Sequence, residues 1–233
     1  MAENKSTESF LLKKKLFFTR LSLAYIREMR LLIRGGKLTK RDGWRNVVEH
    51  CIVQAAESAV LAELLNLSVK DTERLMTAAA CHDWSKRLDR KPSDFSKTER
   101  DRAEGFLEQV SPDPLLLAAT GPEFLERALV DGESSFLERL QFYIDDITKG
   151  SEIVSFDERI DEVEARRQDL NEDVGLTAKL GAPYWTRERE LGHSVAREIF
   201  ERLEFCGAVI SSPKDIPVLV NQVIQRLILE EPS

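Results

Sequence analysis

The hydrophobic positions of this chain recur mostly every three to four residues, which is the period of an amphipathic α-helix. Residues 10–33 carry such an apolar stripe, and Gly35 and Gly36 directly after it favour a helix end. A second helix is predicted over about residues 42–65. Ser68, followed by Asp71 three residues later, is typical of the start of a third helix. We expect that helix to end near residues 83–84.

The helical period continues through the rest of the chain. It predicts helices over about residues 93–110, 136–149, 155–168, 185–205 and 213–229, with two short helices beginning near Pro114 and Pro122. Residues 87–92 and 171–184 are predicted to be irregular because they concentrate charge, glycine and proline. Strand-like alternation is scarce and the connections are short. The sequence therefore predicts one all-α domain over residues 1–233, with N- and C-terminal helices packed on a central bundle.

The composition is that of a globular protein with a sizeable core, at 42% hydrophobic and 32% charged residues. A net charge of −7 makes nucleic acid an unexpected partner. Residues 1–50 are nevertheless basic, with 12 Lys and Arg against 5 Asp and Glu. This segment fits a solvated helix face. The alternative is a surface for a phosphorylated ligand or for an acidic subunit, such as the partner in a homo-oligomer.

The beginning of the chain lacks the basic-then-apolar layout of a secretory signal. No charge-free apolar run approaches the length of about 20 residues that spans a membrane. Cys51, Cys81 and Cys206 are an odd number and lie among apolar neighbours, so we interpret them as buried thiols in a reducing compartment. From these features we expect a cytoplasmic protein without membrane contact.

Polar residues interrupt three of the apolar helices. His50 lies in the segment 47–52, His82 and Asp83 follow three alanines and a cysteine, and Asp145 and Asp146 lie in the segment 142–147. Burying such groups costs free energy unless each has a partner. One metal ion could be the partner of several of them at once.

Taken singly, each residue has a simpler interpretation. His50 fits a core histidine that donates one hydrogen bond, and Asp146 fits a surface ion pair with Lys149. The sequence alone does not decide which of Asp145 and Asp146 is a ligand. Cys51 and Cys81 adjoin histidines, but neighbours on a helix point about 100° apart, so we expect both thiols to face the core.

The ordered set of His50, His82-Asp83 and Asp145 resembles the HD-domain superfamily of metal-dependent phosphohydrolases. The segments 45–50, 80–86 and 142–147 are similar to the three ligand-bearing segments of that family, and the likeness covers about residues 44–165. The resemblance implies an all-α fold and hydrolysis of phosphate esters, including nucleotides. Two-metal members use further histidines between the pair and the last aspartate, and this chain has none there.

We therefore expect one divalent cation held by His50, His82, Asp83 and Asp145. Mixed nitrogen and oxygen ligands suit Mn²⁺, Fe²⁺, Co²⁺, Ni²⁺ or Zn²⁺, and Mg²⁺ less well. Such a cation lowers the pKa of its bound water and neutralises a phosphoryl oxygen. Asp83 is the candidate catalytic residue that would bind the metal and accept the proton of the water.

Two basic residues are candidate substrate contacts. Lys86 could stabilise charge on the phosphoryl group, or could simply favour the carboxyl end of a helix. Arg45 could hold a phosphate through its guanidinium fork, or could be a surface residue. His193, outside the resembling region, is expected to be structural. Substrate specificity is expected to come from the loop after Lys86, the turn at residues 120–122 and the C-terminal helices.

The leading hypothesis is a single-metal phosphohydrolase that acts on a small phosphorylated molecule, such as a nucleotide. The alternative is a non-catalytic binding or regulatory module of the same fold, with a structural or vestigial metal. In that case the basic N-terminal helix and the acidic segment 157–164 are candidate contact surfaces. A di-iron oxygenase on a similar fold would need more histidine ligands than this chain has.

Overall fold

The computed structural model describes residues 2–34, 45–86 and 97–229, and the side chains of residues 13–28, 30, 47–86, 97–98 and 100–229. The predicted end of the first helix at Gly35 and Gly36, the loop 87–92 and the predicted helix start near residue 93 lie outside the described residues. The same holds for the predicted start of the second helix near residue 42. These predictions remain predictions.

The described residues form an all-α fold, which confirms the predicted fold class. The helices are α1 (Ala2–Arg34), α2 (Arg45–Leu64), α3 (Val69–Cys81), α4 (Lys97–Val110), α5 (Pro114–Leu117), α6 (Gly121–Glu126), α7 (Phe136–Ile147), α8 (Phe156–Arg166), α9 (Asp169–Glu172), α10 (Val174–Leu180), α11 (Tyr184–Phe205) and α12 (Ile216–Leu229). A π-helical turn (Arg127–Asp131) follows α6, and a 3-10 turn (Pro213–Asp215) precedes α12.

Serine side chains set the starts of several helices. The Ser68 hydroxyl accepts a hydrogen bond of 3.1 Å from the backbone N–H of Asp71, as predicted, and Ser155 caps α8 in the same way. A third serine cap, at the start of α7, was not predicted. There Ser135 and Glu138 each accept a hydrogen bond from the other's backbone N–H, which is a complete capping box. This cap fixes the start of the helix that carries Asp145.

Two predicted segments differ in the structure. The helix predicted over 136–149 ends at Ile147, and the next residues form a short antiparallel hairpin of β1 (Thr148–Lys149) and β2 (Glu152–Ile153). The segment 171–184, predicted to be irregular, contains α10 and overlaps the end of α9. Asp173 caps α10 at its start, and Gly181, with φ of +73°, ends it in a left-handed conformation that glycine adopts without strain.

Small side chains bring the helices around the centre of the fold close together. Ala24 of α1, Ala55 of α2 and Ala80 of α3 are buried against one another with Cys81. The main hydrophobic core adjoins them and draws residues from nearly the whole chain, from Phe17 to Leu227. The C-terminal helices are therefore part of the same core as α2, α3 and α7. Within the described ranges, no helix combines the length and apolarity that crossing a membrane requires.

Candidate metal centre

Three separate parts of the chain converge at one buried point. His50 projects from α2, Asp145 from α7, and His82 directly follows α3. Asp145 Oδ1 lies 3.1 Å from His50 Nε2 and 3.5 Å from His82 Nε2. The two imidazole rings have their centroids 5.2 Å apart. Candidate ligand atoms of all three residues lie within 4.8 Å of one another, so the group could hold a metal ion.

The end of α3 explains how His82 and Asp83 reach the site. The helix ends at Cys81, and the next residues form a tight turn in which the Trp84 N–H bonds to the Cys81 carbonyl at 3.0 Å. The Nδ1 of His82 lies 2.8 Å from the carbonyl of Ala79, which orients the ring and leaves Nε2 towards Asp145. That Nε2 is buried and makes no hydrogen bond to any described residue. A buried imidazole nitrogen in this state is suited to a metal.

The charges at the centre depend on one another. Burial alone would lower the pKa of His82, but Asp83 and Asp145 together raise it to about 9. Burial would likewise raise the pKa of Asp145, but the neighbouring imidazoles of His50 and His82 hold it well below its usual range. Without a metal, His82 is therefore protonated at neutral pH and forms an ion pair with Asp145. A cation that binds to Nε2 has to displace this proton.

Asp83 lies beside this group rather than inside it. Its Oδ1 is 3.6 Å from His82 Nε2, and it belongs to an overlapping group with Cys51 and His82 whose ligand atoms lie within 4.8 Å. Its Oδ2 is 2.6 Å from the Lys86 ammonium. Although burial favours the protonated acid, the charges of His82 and Lys86 lower the pKa of Asp83. Asp83 is thus an ionised carboxylate next to the candidate ligands.

Cys51 was expected to face the core, away from the site. It is fully buried, yet its sulfur lies 3.9 Å from His82 Nδ1. Burial raises the pKa of the Cys51 thiol well above its usual value, and nearby carboxylates raise it further. The thiol is therefore protonated near neutral pH, which makes it a poor ligand beside ionised Asp83.

The structure distinguishes the two neighbouring aspartates. Asp145 points to the histidines. The interpretation of Asp146 as a surface ion pair with Lys149 is wrong, because Lys149 bonds to Glu158 at 3.0 Å. Asp146 Oδ2 is buried and has no hydrogen-bond partner among the described residues. The two side chains point in different directions because successive positions on a helix are about 100° apart.

No family model, curated protein or solved structure matches this chain. Arg45 and His193 are the remaining residues that the sequence analysis discussed. Arg45 begins α2, but its side chain is outside the described part of the chain. His193 lies elsewhere, on α11, with its Nε2 3.0 Å from Asp157 Oδ1 and its ring against Phe156.

Gln54 is a site residue that the sequence analysis missed. Its amide nitrogen donates a hydrogen bond of 2.6 Å to Asp145 Oδ1 and lies 2.9 Å from His50 Nε2. The side-chain amide of Gln141 is in turn 3.4 Å from Gln54 Oε1. Gln54 follows His50 by four residues, so both share one face of α2, and this spacing could have indicated it.

Two buried glutamates near the centre were also missed. Glu28 of α1 is fully buried, and neither carboxyl oxygen has a hydrogen bond to the described residues. Burial raises its pKa to about 8, although the charge of His82 opposes this, so the group is largely neutral at pH 7. Glu188 of α11 is 4% exposed, and burial raises its pKa to about 8 as well. Both lie on the apolar stripes of their helices. A carboxyl residue within such a stripe was the feature of the sequence that could have indicated them.

Proposed function

We propose that this protein is a single-metal phosphohydrolase of the HD-domain type that acts on a small phosphorylated molecule. The observation that supports the proposal is the meeting of His50, His82 and Asp145 from three parts of the chain around a buried nitrogen without a hydrogen bond. Two imidazoles and a carboxylate at this spacing are a ligand set for a divalent cation. The HD-type order of these residues along the chain agrees with it.

His50, His82 and Asp145 would hold the cation, with Asp83 as a further oxygen ligand. Nitrogen and oxygen donors favour Mn²⁺, Fe²⁺, Co²⁺, Ni²⁺ or Zn²⁺ over Mg²⁺. When bound, such a cation supplies a water of lowered pKa and a positive charge for the phosphoryl oxygens. Gln54 would keep Asp145 in place through the hydrogen bond to Oδ1.

The remaining residues of the site would act on the substrate and on protons. The Asp83 carboxylate is ionised and would accept the proton of the attacking water. Lys86 bonds to Asp83 at 2.6 Å, and its side chain is half-exposed. Its ammonium could therefore rotate towards a phosphoryl oxygen of a bound substrate. A nucleotide is one substrate that this chemistry would accept, and the cytoplasm is the compartment we propose for it.

Metal content and hydrolysis test the proposal together. We expect the purified protein to bind about one equivalent of Mn²⁺ or Co²⁺, and to cleave members of a phosphoester panel. His82→Ala should remove the metal and lower kcat/KM by more than about 100-fold, the upper range for losing a group that only orients a ligand. Asp83→Ala should also abolish turnover. The matched control is His193→Ala, which removes the surface histidine.

The outcomes separate the alternatives. Full phosphatase activity in His82→Ala, with circular dichroism like that of the wild type, would contradict the proposal. Metal binding without cleavage of any phosphoester would instead support the binding-module alternative. Loss of activity in His193→Ala to the same extent as in His82→Ala would show that the assignment of the centre is wrong.

A further inference from the structure

A cavity of about 230 Å³ adjoins the metal centre through Asp145. It lies between α7, α8 and α11 and reaches the turn at residues 120–122. The Asp145 side chain is 24% exposed, whereas those of His50 and His82 are 7% and 3% exposed. Asp145 is therefore the residue through which the centre meets the cavity. Pockets for drug-sized ligands measure about 300–1,000 Å³, so this cavity suits one smaller chemical group.

Buried acceptor atoms line the cavity. Glu188 is more than nine-tenths buried, and its Oε2 has no hydrogen-bond partner in the described ranges. The same is true of Asp146 Oδ2. Tyr184 lies against the Glu188 carboxyl. Two unpaired carboxyl oxygens beside one cavity are costly unless a ligand supplies donors for them.

The cations that line the cavity are engaged with carboxylates of their own. Arg159 bonds to Glu162 through one terminal nitrogen, and Arg167 bonds to Asp169 at 2.9 Å. Each of these arginines is balanced by a carboxylate that does not line the cavity. Arg159 Nε is also buried without a hydrogen-bond partner in the described ranges, but it is one donor against two unpaired carboxyl oxygens, so a ligand that brings N–H groups suits the cavity.

The remaining walls are apolar and aromatic. Phe142, Trp185, Val163 and Leu170 line the cavity alongside the carboxyl groups. Such walls cover the carbon skeleton of a ligand and exclude water, which strengthens a hydrogen bond or ion pair formed inside. The combination of apolar walls and unpaired carboxyl groups suits an organic amine better than an inorganic cation or a second phosphate.

We infer that this cavity binds an amino group of the ligand, with the ammonium donating to Glu188 and Asp146. Asp145 places the cavity next to the metal centre, so one molecule could extend from the cavity to the cation. If the proposed phosphohydrolase function holds, on which this step rests, the substrate is a phosphate monoester that carries an amino group. The recognition of the amine itself does not depend on hydrolysis.

Calorimetric titration of the full-length, chelator-treated protein tests the amine site without the metal. The probes are glucosamine and glucose, which differ by an amino group in place of a hydroxyl, and then their 6-phosphates. We expect each amine to bind at least about tenfold tighter than its hydroxyl counterpart. A charge-assisted hydrogen bond contributes enough binding free energy for a difference of this size. Glu188→Gln keeps the size of the side chain but replaces a carboxyl oxygen with an N–H donor, and should abolish this preference. The control Glu190→Gln changes an exposed residue on the same helix and should keep it.

Equal binding of amine and hydroxyl probes, or no binding of either at millimolar concentration, would overturn the inference. So would an amine preference that survives both Glu188→Gln and Asp146→Asn. If the amine preference holds but no phosphate ester is cleaved with Mn²⁺ or Co²⁺, the proposed phosphohydrolase function fails while the amine site stands. If hydrolysis occurs without any amine preference, the reverse is true.

Discussion

Glu28, Glu57 and Glu188 are buried carboxyl residues on three different helices, each at a position that the helical period would assign to an apolar side chain. Burial raises the pKa of every one of them, and so favours the neutral acid. A neutral acid can donate one hydrogen bond as well as accept, which reduces the cost of removing it from water. Glu28 lies near His82 and Asp83 of the candidate metal centre, and Glu188 lines the cavity beside Asp145.

Gly192 is a residue whose identity is set by close packing. It lies on α11 where Phe156, the first residue of α8, crosses it, and a Cβ at this position would overlap the Phe156 ring. Phe156 is buried and stacks on Tyr143, so it cannot move aside freely. We expect Gly192→Ala to destabilise the fold by about 1–3 kcal/mol through overpacking, as measured by urea unfolding.

Gly105→Ala is the matched control for this substitution. Gly105 lies in the interior of α4, and a Cβ there meets no described atom within 4 Å. Because alanine favours helix, this change should leave the free energy of unfolding unaltered or raise it by up to about 1 kcal/mol. Equal effects of the two substitutions would show that contact with Phe156 does not set the requirement for glycine.

The residues of the candidate metal centre could be predicted from the sequence, because histidines and aspartates in apolar helices are conspicuous. The signal for Gln54 was weaker, because its spacing of four residues from His50 indicates a shared helix face but glutamine is common on helix surfaces. Asp146 was misassigned for a related reason. Lys149 three residues later offers a simple ion pair on an ideal helix. The helix ends at Ile147, however, and Lys149 lies on a strand.

At the scale of elements, α7 carries Asp145 and begins at a complete capping box. Ser135→Ala removes the hydroxyl that accepts from the Glu138 N–H. We expect the free energy of unfolding to fall by about 1 kcal/mol, which is typical of losing such a cap. Ser151→Ala, in the exposed turn of the hairpin, is the control and should change it by less than about 0.5 kcal/mol. A Ser135→Ala variant as stable as the wild type would show that Glu138 alone holds the helix start.

The sequence predicts a helix where apolar residues recur with the helical period over several turns, as in α2, α7 and α11. The hairpin was not, because β1 and β2 have two residues each and leave no alternation to detect. The structure reveals its physical cause. The Thr148 hydroxyl is buried, 2.6 Å from the Ile144 carbonyl and 3.0 Å from Glu57 Oε2, and these contacts hold the chain as it leaves the helix.

At the scale of the whole molecule, residues far apart in sequence share one core. A carboxyl group buried in this core, that of Glu57, is expected to make the free energy of unfolding depend on pH. Glu57 is fully buried on α2 and faces Thr148, Tyr143 and Asp145. The Thr148 hydroxyl has one proton and lies between two acceptors, the Ile144 carbonyl and Glu57. If it donates to the carbonyl, Glu57 has to be the donor, and therefore protonated. Burial raises the pKa of Glu57 well above its usual value, which agrees with this geometry.

The sign of the pH effect follows from this raised pKa. Above the pKa of an exposed glutamate, about 4.3, the unfolded chain releases the proton that folded Glu57 retains. The folded state then binds more protons, so rising pH lowers the free energy of unfolding by up to about 1.4 kcal/mol per pH unit for this one group. Glu57→Gln has no proton to lose, so its free energy of unfolding should fall less steeply than that of the wild type between pH 5 and 8.

Urea unfolding at each pH gives the two slopes, and their difference isolates Glu57 from Glu28 and Glu188, which contribute equally to both proteins. Glu63→Gln is the control, since Glu63 is exposed on the same helix and bonds to Lys13. Its profile should run parallel to that of the wild type. If the Glu57→Gln profile is also parallel, Glu57 is ionised in the folded state, and Thr148 must donate to Glu57 rather than to the Ile144 carbonyl.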